Sequence, residues 1–357
     1  MKYNFSTTRT DKPKDKPKDM SNLGFCQHFT DHMFVMDYDK EKGWHDGRIV
    51  PYGPLTFDPA SSVLHYAIQL FEGMKAYKTK EGKILLFRPE MNARRLSISA
   101  SRLVMPAMDE ELYIEAVKAI TNFDKDWIPQ GEGRSLYLRP YMISDDVFVG
   151  IRPAEKFKFI IFLSPCGSFY SGGLQPTKIF VEDEYVRTSP GGTGYAKVGG
   201  NYAATLLSQK RAMEHGCNQV LYLDGKEMKY VDEIGVSNAF FVIDGEVVTP
   251  SVDDGTILKG ITRDSVIQLC KKWGYKVTER KISIDEIYEA SKSGKLQEMF
   301  GTGTATVIAP VGELIWKDKN IVINDRQIGE LSQRIYNELY GIQSGEIKDE
   351  MGWTMEI

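Results

Sequence analysis

The stretch Gly191–Ala212, GGTGYAKVGGNYAATLLSQKRA, decides how this chain is read. Gly191, Gly192 and Gly194 precede Lys197, and Gly199 and Gly200 follow it. Glycine removes side-chain obstruction and permits tight turns, so backbone here can approach a bound group closely. A lysine amine that is desolvated or set beside another cation has a lowered pKa and can form a Schiff base with a carbonyl. Taken alone, such a lysine is as readily structural or solvated, and both readings stand at this point. The glycine density is that of a phosphate loop. Yet Lys197 lies between Ala196 and Val198, and the Gly-Lys-Ser/Thr that brings amides, amine and hydroxyl around phosphate and magnesium is not there. From Asn201 the pattern turns helical and runs to His215 before Gly216, placing the Tyr202 phenol near the lysine in sequence.

Working outward, the segment before this stretch mixes strands and helices. ILLFR at Ile84–Arg88, SLYLRPYM at Ser135–Met142 and KFIIFLSP ending at Pro165 read as strands; Asn92–Arg102 and Glu110–Phe123 read as helices. CGSFYSGGLQP, with Gly167, Gly172, Gly173 and Pro176, punctuates the chain and is the expected domain boundary. Beyond it, strands are expected at Lys178–Val181, Gln219–Leu223, Ala239–Ile243 and Glu246–Val248, the last two joined by Asp244-Gly245, whose residues accept the positive φ of a two-residue hairpin. Helices are expected at Ile261–Trp273 before Gly274 and at Asn324–Tyr340 before Gly341. Ser283 and Glu286 read as a capping box. The reading is an α+β chain with an N-terminal extension at 1–24, a smaller domain at 25–165, an interdomain loop at 166–176 and a larger domain at 177–357.

Composition narrows the classes. The chain has 357 residues, of which 42% are apolar and 26% charged, which supports a large core and argues against disorder. A net charge of −4 with scattered Lys and Arg gives nucleic-acid binding little support. Cys26, Cys166, Cys217 and Cys270 form no CxxC, so neither a thiol redox pair nor a zinc knuckle is expected, and a reducing cytoplasm fits. The N-terminus lacks an apolar leader and no run reaches membrane-spanning length, so neither export nor membrane insertion is expected. The two KPKD-like repeats in its polar, charged first residues read as a flexible approach to the domain.

Other clusters refine the chemistry. HFTDH sets His28 and His32 four apart, a metal pair only if helical, and lacks the glutamate of HExxH; no metal is expected. GVSNA at Gly235 misses the last glycine of a serine-hydrolase elbow. Gly260-Ile261-Thr262 opens a helix whose amides suit a phosphate, Gly301-Thr302-Gly303-Thr304-Ala305 is a second hydroxyl-rich anion loop, and Arg94 and Arg95 follow a strand-turn pattern. Each of these is also compatible with an ordinary turn or a solvated arginine.

In order, FTDHM at Phe29, HYAIQLFEGMKAY at His65, FRPEMNARRL at Phe87, SLYLRP at Ser135, GGTGYAKVGGNYAATLLSQ at Gly191, VDEIGVSN at Val231, LKGITRDS at Leu258 and FGTGTATV at Phe300 resemble the branched-chain amino acid aminotransferases. The resemblance runs from about Phe25 to the C-terminus. It implies the two-domain fold type IV architecture (D-amino acid aminotransferase-like) and pyridoxal 5′-phosphate (PLP), cycling through pyridoxamine 5′-phosphate. It implies Lys197 as Schiff-base lysine and proton shuttle, Tyr202 beside the cofactor O3′, Glu233 on the pyridine nitrogen, and Arg95, Ile261, Thr262 and Thr304 around the phosphate. Arg95 is chosen over Arg94 because its place in FRPEMNARR matches the family arginine.

The same resemblance implies a substrate pocket. It draws on Phe29, Tyr66, Tyr137 and Phe169 as aromatic lining, Arg139 for the second carboxylate, Thr304 and Ala305 toward the α-carboxylate, and Val149 and Ile151 across a homodimer. The implied reaction is a reversible ping-pong transfer of the amino group from L-leucine, L-isoleucine or L-valine to 2-oxoglutarate, giving branched 2-oxo acids and L-glutamate in amino-acid biosynthesis or degradation. Thr306 and Ala309 stand where eukaryotic relatives carry a redox CxxC, and Phe169 replaces a tyrosine common among them, so thiol regulation at that motif is not carried over. The same fold serves D-amino acid aminotransferases and aminodeoxychorismate lyase, so the fold alone settles neither stereochemistry nor outcome.

Overall fold

The computed structural model describes residues 3–17, 19, 23–167 and 173–357. Two compact units emerge: one made of Met1–Ser171, Ala196–Gly199 and Gly341–Ile357, the other of Gly172–Tyr195 and Gly200–Tyr340. The division differs from the expected domains at the N-terminal extension, the interdomain loop, Ala196–Gly199 and Gly341–Ile357. Ala196–Gly199 returns to the first unit because Phe71 N–H donates to the Lys197 carbonyl at 3.0 Å and Leu70 bridges Val198. The C-terminal Thr354–Glu356 returns because it pairs antiparallel with Leu85–Phe87, an edge the expected boundaries left open.

Among the described residues the first unit holds a nine-stranded sheet in the order Ser6–Thr7, Gly43–Pro51, His32–Asp39, Phe157–Cys166, Ser135–Ser144, Met74–Lys78, Ile84–Phe87, Thr354–Glu356, with Gln69–Phe71 also on Ser135–Ser144. The strand Ser135–Ser144 is central, and Leu136, Leu138 and Met142 are wholly buried, as are Phe159, Ile161 and Leu163 on its neighbour. The helix Glu110–Phe123 starts where Asp109 accepts from the Glu111 and Leu112 amides, and buries Leu112, Tyr113, Ala116, Val117 and Ile120 at helical spacing.

The N-terminal residues are not the flexible approach expected. Ser6–Thr7 adds a parallel strand to Arg48–Ile49, Phe5 meets Phe34 edge-on, Arg9 lies over the Phe123 ring, and the Lys14 ammonium donates to the Phe29 and Thr30 carbonyls. Cations that read as solvated find carbonyls and aromatic faces instead. His32 opens a strand, so the helical pairing with His28 does not arise. Its Nδ1 bonds Asp124 at 2.6 Å while Nε2 accepts from the Thr10 amide.

Among the described residues the second unit holds another nine-stranded sheet. Val231–Ile234, Gln219–Leu223, Thr177–Glu182, Val307–Trp316, Leu296–Gly303 and Ser237–Ile243 follow one another, and the last pairs back with the first, closing a ring. Ile179, Val181, Leu221, Phe241, Met299 and Leu314 pack in its core. Asp244 and Gly245 take φ of 53° and 77°, forming the expected two-residue hairpin. Ser283 caps its helix by accepting from Glu286 N–H, but the Glu286 carboxylate turns to Arg280 instead of completing the box.

Two helices differ from expectation. Asn201–His215 is broken into Gly199–Ala203 and Leu206–Glu214 where the Thr205 hydroxyl donates to the Tyr202 carbonyl. The last helix is Glu330–Ser344 and passes through Gly341. A Cβ at Gly341 would lie 2.5 Å from Ile347, so this glycine makes room for packing and Gly345, at φ 77°, turns the chain. The start of that helix is held by buried Glu298, which accepts from the Leu331 and Ser332 amides, a cap supplied from a distant strand.

Candidate active site

In the first unit the helix Pro89–Arg102 turns one face, Asn92, Arg95 and Ser99, toward the end of the short strand Gln69–Phe71. Arg95 grips the wholly buried Glu72 with two parallel bonds, Nε to Oε1 at 2.8 Å and Nη2 to Oε2 at 2.7 Å, and Asn92 adds a third at 2.7 Å. One turn on, the Ser99 hydroxyl accepts from Lys197 N–H at 2.8 Å. Lys197 is therefore fixed through both main-chain groups, its carbonyl by Phe71 and its amide by Ser99. Its ammonium stands 4.9 Å from the centre of the Phe71 ring.

The Arg139 guanidinium lies 4.6 Å from that same ring and donates to the Tyr137 hydroxyl at 3.0 Å. Burial pushes the Tyr137 phenol up to about 12, opposed by Arg139, so Tyr137 stays protonated as a donor. Gly73 leaves the space that the Tyr137 hydroxyl fills, since a Cβ there would lie 2.2 Å from it. Arg139 Nε is buried without a hydrogen-bond partner.

The tripeptide Phe71-Glu72-Gly73 thus gathers Lys197, Arg139, Arg95 and Tyr137. Phe71, Glu72 and Ser99 were missed from sequence. FEG stood inside a quoted motif, but nothing local distinguishes a phenylalanine under two cations from a core phenylalanine. The remaining first-unit candidates make other contacts. Phe29 stacks on Tyr52 at 5.3 Å and meets Phe162 edge-on, Tyr66 ends a short helix half-exposed, and Val149 and Ile151 are 62% and 95% exposed. Phe169 lies outside the described residues.

In the second unit a single row of the sheet runs through the candidate Glu233. Glu233 pairs with Asn238 across one strand boundary and Asn238 with Thr302 across the next. Glu233 Oε1 accepts from Leu258 N–H at 2.7 Å and is 3.1 Å from Arg187 Nη2, both charges buried. The Asn238 amide donates to the Leu258 carbonyl at 2.9 Å, so paired residues of neighbouring strands grip the loop that leads into Gly260. A Cβ on Gly260 would lie 2.0 Å from Asn238 Oδ1, and this close approach presents the Ile261 and Thr262 amides at the start of the helix Ile261–Lys272. Gly303 pairs with Val307, leaving Thr304 and Ala305 at the hairpin tip.

Arg187, which the sequence reading passed over, also donates to the Thr256 carbonyl and joins Glu233 to the glycine loop. Asp232, next in the chain, is raised to about 7 by burial, against the pull of Arg187, which limits repulsion on Glu233. Asn201 bonds Thr193 through both side-chain ends, and Tyr202 follows in the short helix Gly199–Ala203.

The donor set fits a phosphorylated pyridine. A buried, arginine-held carboxylate suits a ring N–H, the helix start supplies amides, and the Thr302 and Thr306 hydroxyls are buried without hydrogen-bond partners beside the hairpin tip. The family profile of amino-transferase class IV matches residues 69–314. Over 350 residues the chain is 53% identical to branched-chain-amino-acid aminotransferase 2 of Bacillus subtilis, covering 98% of this chain and 95% of that one. The chain belongs to the branched-chain amino acid aminotransferase family.

It is also 44% identical, over 95% of its length and 93% of the relative's, to the branched-chain-amino-acid aminotransferase of Mycolicibacterium smegmatis. The Escherichia coli branched-chain amino acid aminotransferase structure superposes with a TM-score of 0.76 at 27% identity, covering 91% of this chain and 98% of that chain. The T.th. branched-chain amino acid aminotransferase, solved with pyridoxamine 5′-phosphate, gives a TM-score of 0.75 at 27% identity over 90% of this chain and 97% of that one. This branched-chain aminotransferase is a PLP-dependent transaminase with the α+β fold type IV architecture. Among its described residues no helix is long and apolar enough to cross a membrane.

Proposed function

We propose that this enzyme moves the amino group of L-leucine, L-isoleucine or L-valine to 2-oxoglutarate, reversibly, with Lys197 as its catalytic residue. The observation that carries the assignment is the double main-chain clamp on Lys197, by Phe71 and Ser99, with the ammonium held over an aromatic ring. PLP, when bound, supplies the electron sink that lets a Cα–H bond ionise. Glu233 holds the pyridine nitrogen protonated, with Arg187 fixing the carboxylate. Arg95, Ile261, Thr262 and Thr304 hold the phosphate. Tyr202 donates its phenol to the ring oxygen.

Lys197 Nζ takes the Cα proton of the amino acid and returns it to the cofactor side, and its clamped main chain limits the search for that geometry. Phe29, Tyr66 and Tyr137 give apolar room for a branched side chain, as does Phe169. Arg139, oriented by Tyr137 and Phe71, receives the second carboxylate of 2-oxoglutarate, which a wholly apolar pocket would reject. Thr304 and Ala305 meet the α-carboxylate. Val149, at 62% exposure, and Ile151, at 95%, are supplied to a neighbouring copy in a homodimer, which accounts for apolar side chains left in water.

Transfer of label from ¹⁵N-L-leucine to 2-oxoglutarate tests this reading. The starting protein yields labelled glutamate, and Lys197→Ala loses at least about 10⁴-fold in rate, the scale of a missing acid–base group. Unchanged transfer by K197A would remove the assignment, and transfer from D-alanine but no branched L-substrate would redirect the substrate class.

A further inference from the structure

Cys26 and Cys166, distant in sequence, meet in the first unit. Gly167 N–H donates to the Gly24 carbonyl at 3.3 Å and the Phe25 ring sits 4.9 Å from the Tyr137 ring, which brings Cys26 against Cys166. No CxxC marks this pair in sequence; the loop between Ser6–Thr7 and His32–Asp39 folds over the end of the strand Phe157–Cys166 and brings the two thiols together.

The sheet adds two further partners. Lys75 is paired with Tyr137 and Tyr137 with Ser164, so the three side chains share a face. Cys166, two residues beyond Ser164, lies on that face too. The Ser164 hydroxyl is 3.9 Å from the Cys166 sulfur. The Lys75 ammonium acts on both sulfurs. Hydrogen bonding from Cys26 pulls the Cys166 thiol well below the ordinary range, assisted by Ser164 and Lys75, and the same bond pushes Cys26 up. Burial lowers Lys75 to about 8, so it gives up a proton readily. Cys217 and Cys270, buried like Cys166, form a contrast, since burial there outweighs the neighbouring Lys178 and Arg334 and raises both thiols, Cys270 to about 12.

We infer that Cys166 is an oxidant-reactive thiolate with Cys26 as its resolving thiol, and that hydrogen peroxide converts the pair to an intrachain disulfide. The Cys166 sulfur attacks one peroxide oxygen and the O–O bond breaks. The departing hydroxide takes a proton from the Lys75 ammonium and leaves as water, and Cys166 is a sulfenic acid. The Cys26 sulfur then attacks the Cys166 sulfur, the S–O bond breaks, and hydroxide departs with the Cys26 thiol proton as a second water. Lys75 regains its proton from solvent. Two thiols are oxidised and one peroxide is reduced. The bond would pin Phe25 against Tyr137, placing an oxidative mark beside Arg139.

The test is peptide mapping by mass spectrometry, without reductant, of the full-length holoenzyme after graded hydrogen peroxide. The inference expects a crosslink between the Cys26 and Cys166 peptides, two hydrogens lighter, while Cys217 and Cys270 stay reduced. In Cys26→Ser the reaction stops at a sulfenic acid on Cys166, trapped by dimedone. In Cys166→Ser, Cys26 stays a thiol. Lys75→Met slows crosslinking by about tenfold, as expected for loss of a cation beside a thiolate. Cys26 and Cys166 both remaining reduced at peroxide levels that oxidise exposed methionines would overturn it, as would a crosslink between chains or an unchanged rate in K75M. The unmutated protein decides the main point, and the mass readout is independent of the transamination assignment.

Discussion

The first unit positions its functional groups mainly with side chains, and the second leans more on backbone. Around Phe71-Glu72-Gly73, one carboxylate, two aromatic rings and a serine hydroxyl hold Lys197, Arg95 and Arg139. Around Glu233, the Leu258 amide and carbonyl, the Thr256 carbonyl and two tightly packed glycines do the holding. The difference suits the roles proposed above for these residues. A lysine that exchanges partners and an arginine that meets only one of two substrates need cushioned side chains able to move. A cofactor retained through every turnover is better served by fixed amides, which cost no reorganisation.

The comparison can be broken at four places. Glu72→Gln removes one partner of a buried ion pair and leaves Arg95 uncompensated, so we expect a loss of about 3–5 kcal/mol in denaturant unfolding together with weaker PLP retention. Gly194→Ala strikes backbone: its Cβ would lie 2.2 Å from the Thr256 carbonyl oxygen, which cannot swing aside. A cost of about 2–4 kcal/mol is expected, read as a lower unfolding temperature.

Asp224 extends the backbone theme, accepting amide bonds from Lys226, Glu227, Lys229 and Tyr230. Burial raises its carboxyl, but those four amides outweigh it and the net shift is downward. Its contribution is therefore complete above the unfolded carboxyl range near pH 4 and is lost as pH falls through the lower folded value. Asp224→Asn, which turns an NH₂ toward two donors, should cost about 1–3 kcal/mol at neutral pH, with the gap from the starting protein narrowing in acid.

The smallest effect belongs to Gly73→Ala. Its Cβ meets the far end of the Tyr137 side chain and no backbone among its nearest atoms, so folding should survive while Tyr137 leaves Arg139. We expect KM for 2-oxoglutarate to rise by about tenfold, the scale of one hydrogen bond to a charged group, with KM for leucine little changed. Equal destabilisation by G73A and G194A would erase the distinction between the two units.

Much of the fold was legible. The helices Glu110–Phe123 and Ile261–Lys272 and the Asp244-Gly245 hairpin appear where periodicity and turn chemistry placed them, because their signals are local. The final helix overran Gly341 because packing against Ile347, a tertiary contact, explains that glycine. The docking of Ser6–Thr7 and the meeting of Cys26 with Cys166 were illegible for the same reason: residues far apart in sequence supply the partners. Within the site, Glu233, Asn238 and Thr302 align only once three strands are in register.

By itself the sequence determined the residue types and their order: a lysine among glycines, a carboxylate in VDEIGVSN, a helix opening at Gly260, and motifs whose succession marks the family. These survive without coordinates because covalent spacing and backbone propensity act over a few residues. Only the tertiary structure decided that Phe71 serves both Lys197 and Arg139, that Glu72 secures Arg95, that Arg187 secures Glu233, and that Cys26 meets Cys166. Those outcomes depend on burial and on partners brought across a sheet, and hydrogen-bond and ionic energies exist only once that distance has closed.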